Sequence, residues 1–288
     1  MLDKDKNSDF DAYYYAHDCG ISYERNEHWL NFFGAIAETV VNDFAPKTIL
    51  DAGCAKGFLV ECLRNKGVDA FGVDISEYAI NSVYEPVKQY CKIASIADPL
   101  DNLYDVIISI EVVEHMEKSE SEAAIANLCK HTDKILFSSS PHDFSEVTHI
   151  NVQQPEVWAR LFARNGFFRD MDYDASYITP WAVLFSRNSQ RLDRLVFVYE
   201  RKLWMIYKEN LDVRRKNLEL NDQLKQKDLA NLHLAEIKST QNDLSKTGAL
   251  LEEANKRIVE LETAINEITD SEDWRLMQEV KRIRNITR

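Results

Sequence analysis

Ile49-Leu50-Asp51-Ala52-Gly53-Cys54-Ala55-Lys56-Gly57 is the stretch on which the reading of this chain turns. A short apolar run ends in an acid, passes through a turn of small residues, and gives way to the helix-like segment 58–65. At the carboxyl end of a first strand, a turn without bulky side chains lets a nucleotide-like ligand approach the backbone. A second acid, Asp74, closes the next strand-like run, Phe71-Gly72-Val73-Asp74, 23 residues after Asp51. A carboxylate there accepts hydrogen bonds from both ribose hydroxyls.

The same turn serves dinucleotide-binding domains, but their G-x-G-x-x-G fingerprint seats a pyrophosphate against the backbone at a helix N-terminus. Here position 55 is Ala and position 58 is Phe. Loss of both glycines argues against a pyrophosphate and is tolerated by a nucleoside ligand that carries no phosphate.

Working outward, strand-like runs at 48–52, 70–73, 105–110 and 134–138 alternate with helix-like segments at 58–65, 77–83 and 120–130. This alternation predicts an α/β fold, a doubly wound and mostly parallel sheet with helices on both faces. A helix over 155–165, a stop at Gly166 and two extended stretches, 168–173 and 181–186, follow. An aromatic and acidic segment, 9–29, precedes the first strand and is expected to cover the site. The predicted divisions are a cap over residues 1–30, the main domain over 31–188, a helix packing on it over 189–215, and an extended helix or coiled coil over 216–288.

The last part rests on breakers and periodicity. All six prolines lie at or before Pro180, and Gly248 is the one glycine after Gly166. Leu244, Leu251, Ile258 and Ile265 recur every seven residues, with Thr247, Ala254, Leu261 and Ile268 three positions after each, as the seam positions of a coiled coil do. Self-association through this seam is the expectation; between 208 and 240 a solvated single helix fits equally well.

Composition excludes several classes. No apolar run is long enough to span a membrane, and the first 30 residues do not resemble a signal peptide, so the expected location is the cytoplasm, with the inner membrane face as the alternative. Five cysteines, Cys19, Cys54, Cys62, Cys91 and Cys129, lack metal-clip or disulfide spacing and are read as reduced thiols. Residues 1–186 hold 30 acids against 15 bases, and 187–288 hold 18 against 20, so the net charge of −13 resides in the first part. An acidic domain repels a phosphate backbone, which excludes nucleic acid as the expected partner.

Against this background the 49–57 run resembles motif I of class I S-adenosyl-methionine (SAM)-dependent methyltransferases, and Asp74 resembles their ribose-binding acid. Tyr104-Asp105-Val106-Ile107-Ile108-Ser109-Ile110-Glu111-Val112-Val113-Glu114-His115 is similar to the fourth strand and following loop of that family. The resemblance covers residues 30–190. It implies a Rossmann-like sheet of seven strands, the last inserted antiparallel, with SAM as cofactor and S-adenosyl-homocysteine as product. It also implies that Asp51, Gly53, Cys54 and Gly57 line the methionine and ribose end of SAM, that Asp74 holds the ribose, that Ile75 covers the adenine, and that Glu111 lies under the sulfonium. The adenine amino group falls to Ser95 or to Asp98.

Three of the seven histidines, His115, His142 and His149, fall in loops after strands, where this architecture places its active site. Methyl transfer from a sulfonium is an in-line displacement in which alignment and exclusion of water supply most of the acceleration. A hydroxyl acceptor must also lose its proton, and a histidine suits that task. His142 and His149 are the preferred candidates for the base, against orienting or structural roles; His115 is either a loop cap or catalytic. A metal held by His142, Asp143 or His149 is not expected, because so sparse a donor set is weak.

The runs Pro141-His142-Asp143-Phe144, Thr148-His149-Ile150-Asn151-Val152 and Thr179-Pro180-Trp181-Ala182, followed by Tyr199-Glu200-Arg201-Lys202-Leu203-Trp204, a coiled coil and Trp274-Arg275-Leu276, resemble methyltransferase modules of bacterial cell-surface polysaccharide (O-antigen type) biosynthesis. That resemblance implies O-methylation of a sugar hydroxyl on a glycan or on a nucleotide- or lipid-linked sugar. The competing readings are a small-molecule methyltransferase of the quinone or secondary-metabolite kind, and a SAM-binding coiled-coil scaffold without turnover. The basic end, Lys281, Arg282, Arg284 and Arg288, is read as a solvated helix end, the alternative being contact with an anionic membrane face or a glycan-assembly partner.

Overall fold

A computed structural model describes residues 10–19, 21–188 and 191–286, with side chains as far as residue 282. Arg284 and Arg288 of the basic end lie outside the described side chains. The chain divides into two compact units between Leu203 and Trp204.

The first unit is built on seven strands: β1 (Thr48–Ala52), β2 (Asp69–Asp74), β3 (Cys91–Ile93), β4 (Val106–Ile110), β5 (Lys134–Ser138), β6 (Phe167–Arg169) and β7 (Val183–Arg187). Their order across the sheet is β3-β2-β1-β4-β5-β7-β6. The first five pair in parallel, whereas β7 runs antiparallel to both β5 and β6. The expected seven-stranded, doubly wound sheet with an inserted antiparallel strand is therefore present.

Helices cover both faces. Successive strand side chains point to opposite faces, so Ile49 and Ile108 join one core while Leu50 and Ile107 join the other. The first core is closed by α2 (Glu27–Phe44) and α3 (Phe58–Asn65), through Phe33, Ile36, Val40, Leu59 and Leu63. The second is closed by α6 (Lys118–His131) and α7 (Pro155–Arg164), where Phe162 stacks on Phe185 with centroids 4.0 Å apart. Fully burying rings of this size contributes about 1.5–3 kcal/mol each. It also explains why β4 reads as an unbroken Val-Ile-Ile-Ser-Ile run: a central parallel strand has no wet face.

Three short helices complete this unit: α1 (Ala12–His17), α4 (Glu77–Asn81) and α5 (Glu85–Lys88). The last of these and β3 are too short to carry a periodic signal and were not anticipated as elements. All five cysteines are free.

A long helix, α8, spans Leu192–Asp270, and α9 follows over Glu272–Ile286. In its first turns Leu195 and Val198 are half-buried, whereas Trp204, Ile206 and Tyr207, which open the second unit, are exposed. The helix passes straight through Gly248 and stops at Ser271, whose hydroxyl accepts from Trp274 N–H at 3.2 Å and caps α9. A single glycine costs about 1 kcal/mol in a helix, whereas a cap supplies an alternative partner for the backbone. No helix among the described residues is long and apolar enough to cross a membrane.

Candidate functional site

The carboxyl ends of β1, β2 and β4 converge, and the turn after β1 has the shape its small residues allow. Gly53 has φ of 94°, and a Cβ there would sit 2.3 Å from Val112 Cγ2, so no other residue fits without moving the loop after β4. Gly57, with φ of 71°, is the N-cap of α3. Gly53 and Cys54 N–H both donate to Val73 O, at 2.8 and 3.0 Å, which locks the turn to β2. The Cys54 thiol turns inward: Gly72 lacks a Cβ where one would lie 2.6 Å from Cys54 Sγ. Cys54 therefore offers the turn its backbone rather than its side chain.

Asp74 does more than wait for a ribose. Its Oδ2 accepts from Ala55 N–H and its Oδ1 from Ser76 N–H, both at 2.8 Å, so the carboxylate ties the two cofactor-side loops together. Each carboxylate oxygen can accept twice, which leaves one position on each for a diol. Ile75 is half-buried beside it, and Ser95 Oγ accepts from Ala97 N–H at 3.1 Å, closing the turn after β3. Asp98, the alternative to Ser95, is exposed.

Glu111 follows β4 with φ of 53°, a left-handed conformation that costs a non-glycine residue about 1–3 kcal/mol. Its Oε1 accepts from Trp181 Nε1 at 2.9 Å. Beside it Glu114 is fully buried, and burial together with the charge of Glu111 pushes its carboxyl far above the ordinary range. Glu114 Oε1 accepts from Ser140 N–H at 3.2 Å.

The acids make an electrostatic argument for the cofactor. Burial, and then the negative charge of Asp74, push the Asp51 carboxyl up to about 8. The buried Lys56 does not relieve it, since its Nζ pairs with Glu24 at 2.7 Å. A ligand with a sulfonium and an ammonium group supplies what these buried carboxylates lack, and the glycine turn leaves room for it. Asp51, protonated at neutral pH in the free protein, should ionise against that cation. SAM binding is accordingly expected to release about one proton at pH 7, and to tighten as pH rises towards 8 and level off above. Calorimetry at pH 7 in two buffers of different ionisation heat reads this directly; equal heats would remove Asp51 from the cofactor's surroundings.

The N-terminal segment lies over these loops. Tyr15 is buried and stacks with Tyr78 at 5.9 Å, Tyr23 stacks on Phe58 at 4.9 Å, and Ser76 Oγ donates to Phe10 O at 2.6 Å. Phe10 and Tyr14 then pack edge-on around His115, with centroids 5.4 and 6.2 Å away.

The three candidate histidines separate into two groups. His115 and His149 meet, with ring centroids 4.6 Å apart. His149 Nδ1 donates to Asp143 O at 2.8 Å, and its Nε2 lies 3.1 Å from Glu146 Oε2. A carbonyl only accepts, so the Nδ1 proton is committed and Nε2 faces the Glu146 carboxylate. His115 Nδ1 faces Thr148 O at 3.3 Å, which leaves its Nε2 lone pair free. Burial, and next the neighbouring His149, lower His115 to about 4, so it is a neutral imidazole at physiological pH. His142 is exposed and stands edge-on to Trp181 at 5.2 Å, on the Glu111 side.

Among the described residues, two groups have ligand atoms within 4.8 Å of one another, Glu114-His115-His149 and Asp143-Glu146-His149. His142, one of the three residues weighed as metal donors, belongs to neither. Glu146, Tyr14, Phe10 and Trp181 escaped the sequence reading. Of these, Glu146 was findable as a carboxylate three residues before His149, and Trp181 as an aromatic in the Thr-Pro-Trp-Ala run.

Comparisons with known proteins bear on the family of the chain. The sequence pattern of the family described as "Methyltransferase domain" matches residues 21–169, just over half of the chain. Ubiquinone biosynthesis O-methyltransferase of Methylococcus capsulatus is 31% identical over 104 residues, covering 33% of this chain and 44% of that protein. The enzyme of the same name from Rickettsia conorii is 34% identical over 104 residues, covering 33% and 34%. The chain thus spans less than half the length of these relatives. Magnesium protoporphyrin IX methyltransferase from Synechocystis, crystallised with bound SAM, is 17% identical, covers 65% of this chain and all of that one, and superposes with a TM-score of 0.49. The chain belongs to the family described as "Methyltransferase domain".

Proposed function

We propose that this enzyme O-methylates a ring hydroxyl of a small quinone-like acceptor. The observation that carries the reading is the half-buried His115-His149-Glu146 cluster beyond the ends of β4 and β5. A carboxylate acceptor has no proton to lose, whereas a hydroxyl does, and this cluster offers a neutral imidazole backed by a second ring and a carboxylate. Phe10 and Tyr14, which pack edge-on to His115, suit a flat aromatic acceptor. The relatives matched over about one third of the chain, named as ubiquinone biosynthesis O-methyltransferases, support this class over others.

In this reading the acidic turn and Asp74 orient SAM, the N-terminal segment excludes water from the reacting atoms, and the imidazole takes the acceptor proton as the methyl group moves. SAM when bound supplies the electrophilic methyl group; the protein supplies alignment and the base.

A sugar hydroxyl is the second reading. What favours it is the long helix after the domain, which fits enzymes that work on polymers because several active sites on one stalk raise the local concentration of chain ends. Small-molecule chemistry gives that helix no role. The full chain should be incubated with labelled SAM and either a prenylated catechol or a nucleotide-linked hexose. Transfer to the catechol alone supports the primary reading, transfer to the hexose alone replaces it with the second, and SAM binding without transfer to any hydroxyl acceptor returns the scaffold reading.

A further inference from the structure

The 79 residues of α8 include no buried side chain. Most helical stability in proteins comes from covering an apolar face rather than from intrinsic propensity. That face exists here. Ile237, Leu244, Leu251, Ile258 and Ile265 follow one another at intervals of seven, exposed by half or more. Ala254, Leu261 and Ile268 fall three positions after the last three of them and continue the same stripe. Over residues 237–268 the stripe runs for about 48 Å at 1.5 Å per residue.

We propose that residues 237–268 form a parallel, in-register, two-stranded coiled coil with a second copy of this chain. A strict spacing of three and four is self-complementary, since each apolar side chain enters a hole formed by the same positions on the facing helix. Isoleucine at the first seam position with leucine at the second, as in Ile258 and Leu261, packs best in two parallel strands.

Charge fixes the direction. Arg257 immediately precedes a seam residue and Glu262 immediately follows one, and across a parallel, in-register seam these two positions, five residues apart, approach each other from opposite chains. Each dimer gains two such pairs. Within one chain Arg257 holds Glu260 at 2.9 Å, but both ends are half or more exposed, so exchanging that partner costs little.

The test is sedimentation equilibrium of the full chain from about 1 to about 100 µM. The expected mass is twice 33.4 kDa. Leu251→Asp with Ile258→Asp should remain at the single-chain mass throughout while binding SAM as the parent does. Ala254→Cys should cross-link between chains on oxidation, beyond the oxidised parent as control. Arg257→Glu should weaken the dimer several-fold, and adding Glu262→Arg should restore it. A parent that stays monomeric, or a mass of three or more copies, overturns the proposal. A dimer without the cross-link at 254, or without charge-swap rescue, overturns the parallel register, and persistence of the dimer after both aspartates places the contact elsewhere.

Discussion

Asp74→Ala is expected to weaken SAM binding by a hundredfold or more, measured by calorimetry on the full chain with SAM and with S-adenosyl-homocysteine. Two hydrogen bonds from a diol to a carboxylate contribute about 1.5–3 kcal/mol each, so losing both is enough for that factor. The substitution also releases Ala55 N–H and Ser76 N–H, which the carboxylate holds at 2.8 Å, and so loosens the turn against β2. Asp74→Asn separates the two contributions: it keeps one acceptor oxygen and should fall between parent and alanine. A melting curve on each variant distinguishes loss of the site from loss of the fold. An unchanged dissociation constant in a folded Asp74→Ala protein would take this residue out of cofactor binding.

His115→Ala and His149→Ala are each expected to lower kcat by about 10²- to 10⁴-fold, the usual range for removing a general base, with SAM affinity unchanged. His142→Ala should do less, since His142 is exposed against Trp181 and stands apart from the Glu146 cluster. The pH profile adds an independent reading. Activity requires the unprotonated imidazole, so it should be lost as pH falls through the ionisation of His115, near 4 rather than at the ordinary 6.5. Repeating the assay with a chelator separates proton transfer from metal chemistry at the two carboxylate-histidine groups. If both alanine variants turn over normally, the cluster is structural and acceptors without a proton to lose move to the front.

Much of the cofactor side was legible in the sequence because its residues are close along the chain and backbone geometry dictates their type. Gly53 must lack a Cβ because Val112 fills that space, and Asp51 and Asp74 lie near the carboxyl ends of adjacent parallel strands, Asp51 in register with Gly72 two residues before Asp74. The acceptor side was less legible. Phe10 and Tyr14 reach His115 from more than a hundred residues away, and nothing periodic marks them or Glu146. Of the candidates for the base, His149 is paired with His115, while His142 stands apart against Trp181.

Periodicity and breakers, then, anticipated most of the alternation of strands and helices from β1 onward, though not α1, α2, α5 or β3; the inserted antiparallel strand followed from the resemblance, and the length of the terminal helix followed from the absence of proline and the presence of a single glycine, Gly248. These are local properties, set by which backbone conformations each residue permits. Only the tertiary structure decided that Cys54 faces the core, that Asp74 is already bonded to two loop amides, that Glu111 takes a left-handed conformation and accepts from Trp181, and that His115 is kept neutral. Each of those depends on what surrounds a side chain after folding: burial raises the cost of charge, and a hydrogen-bond partner arrives from a distant strand. Neither is written in the spacing of residues along the chain.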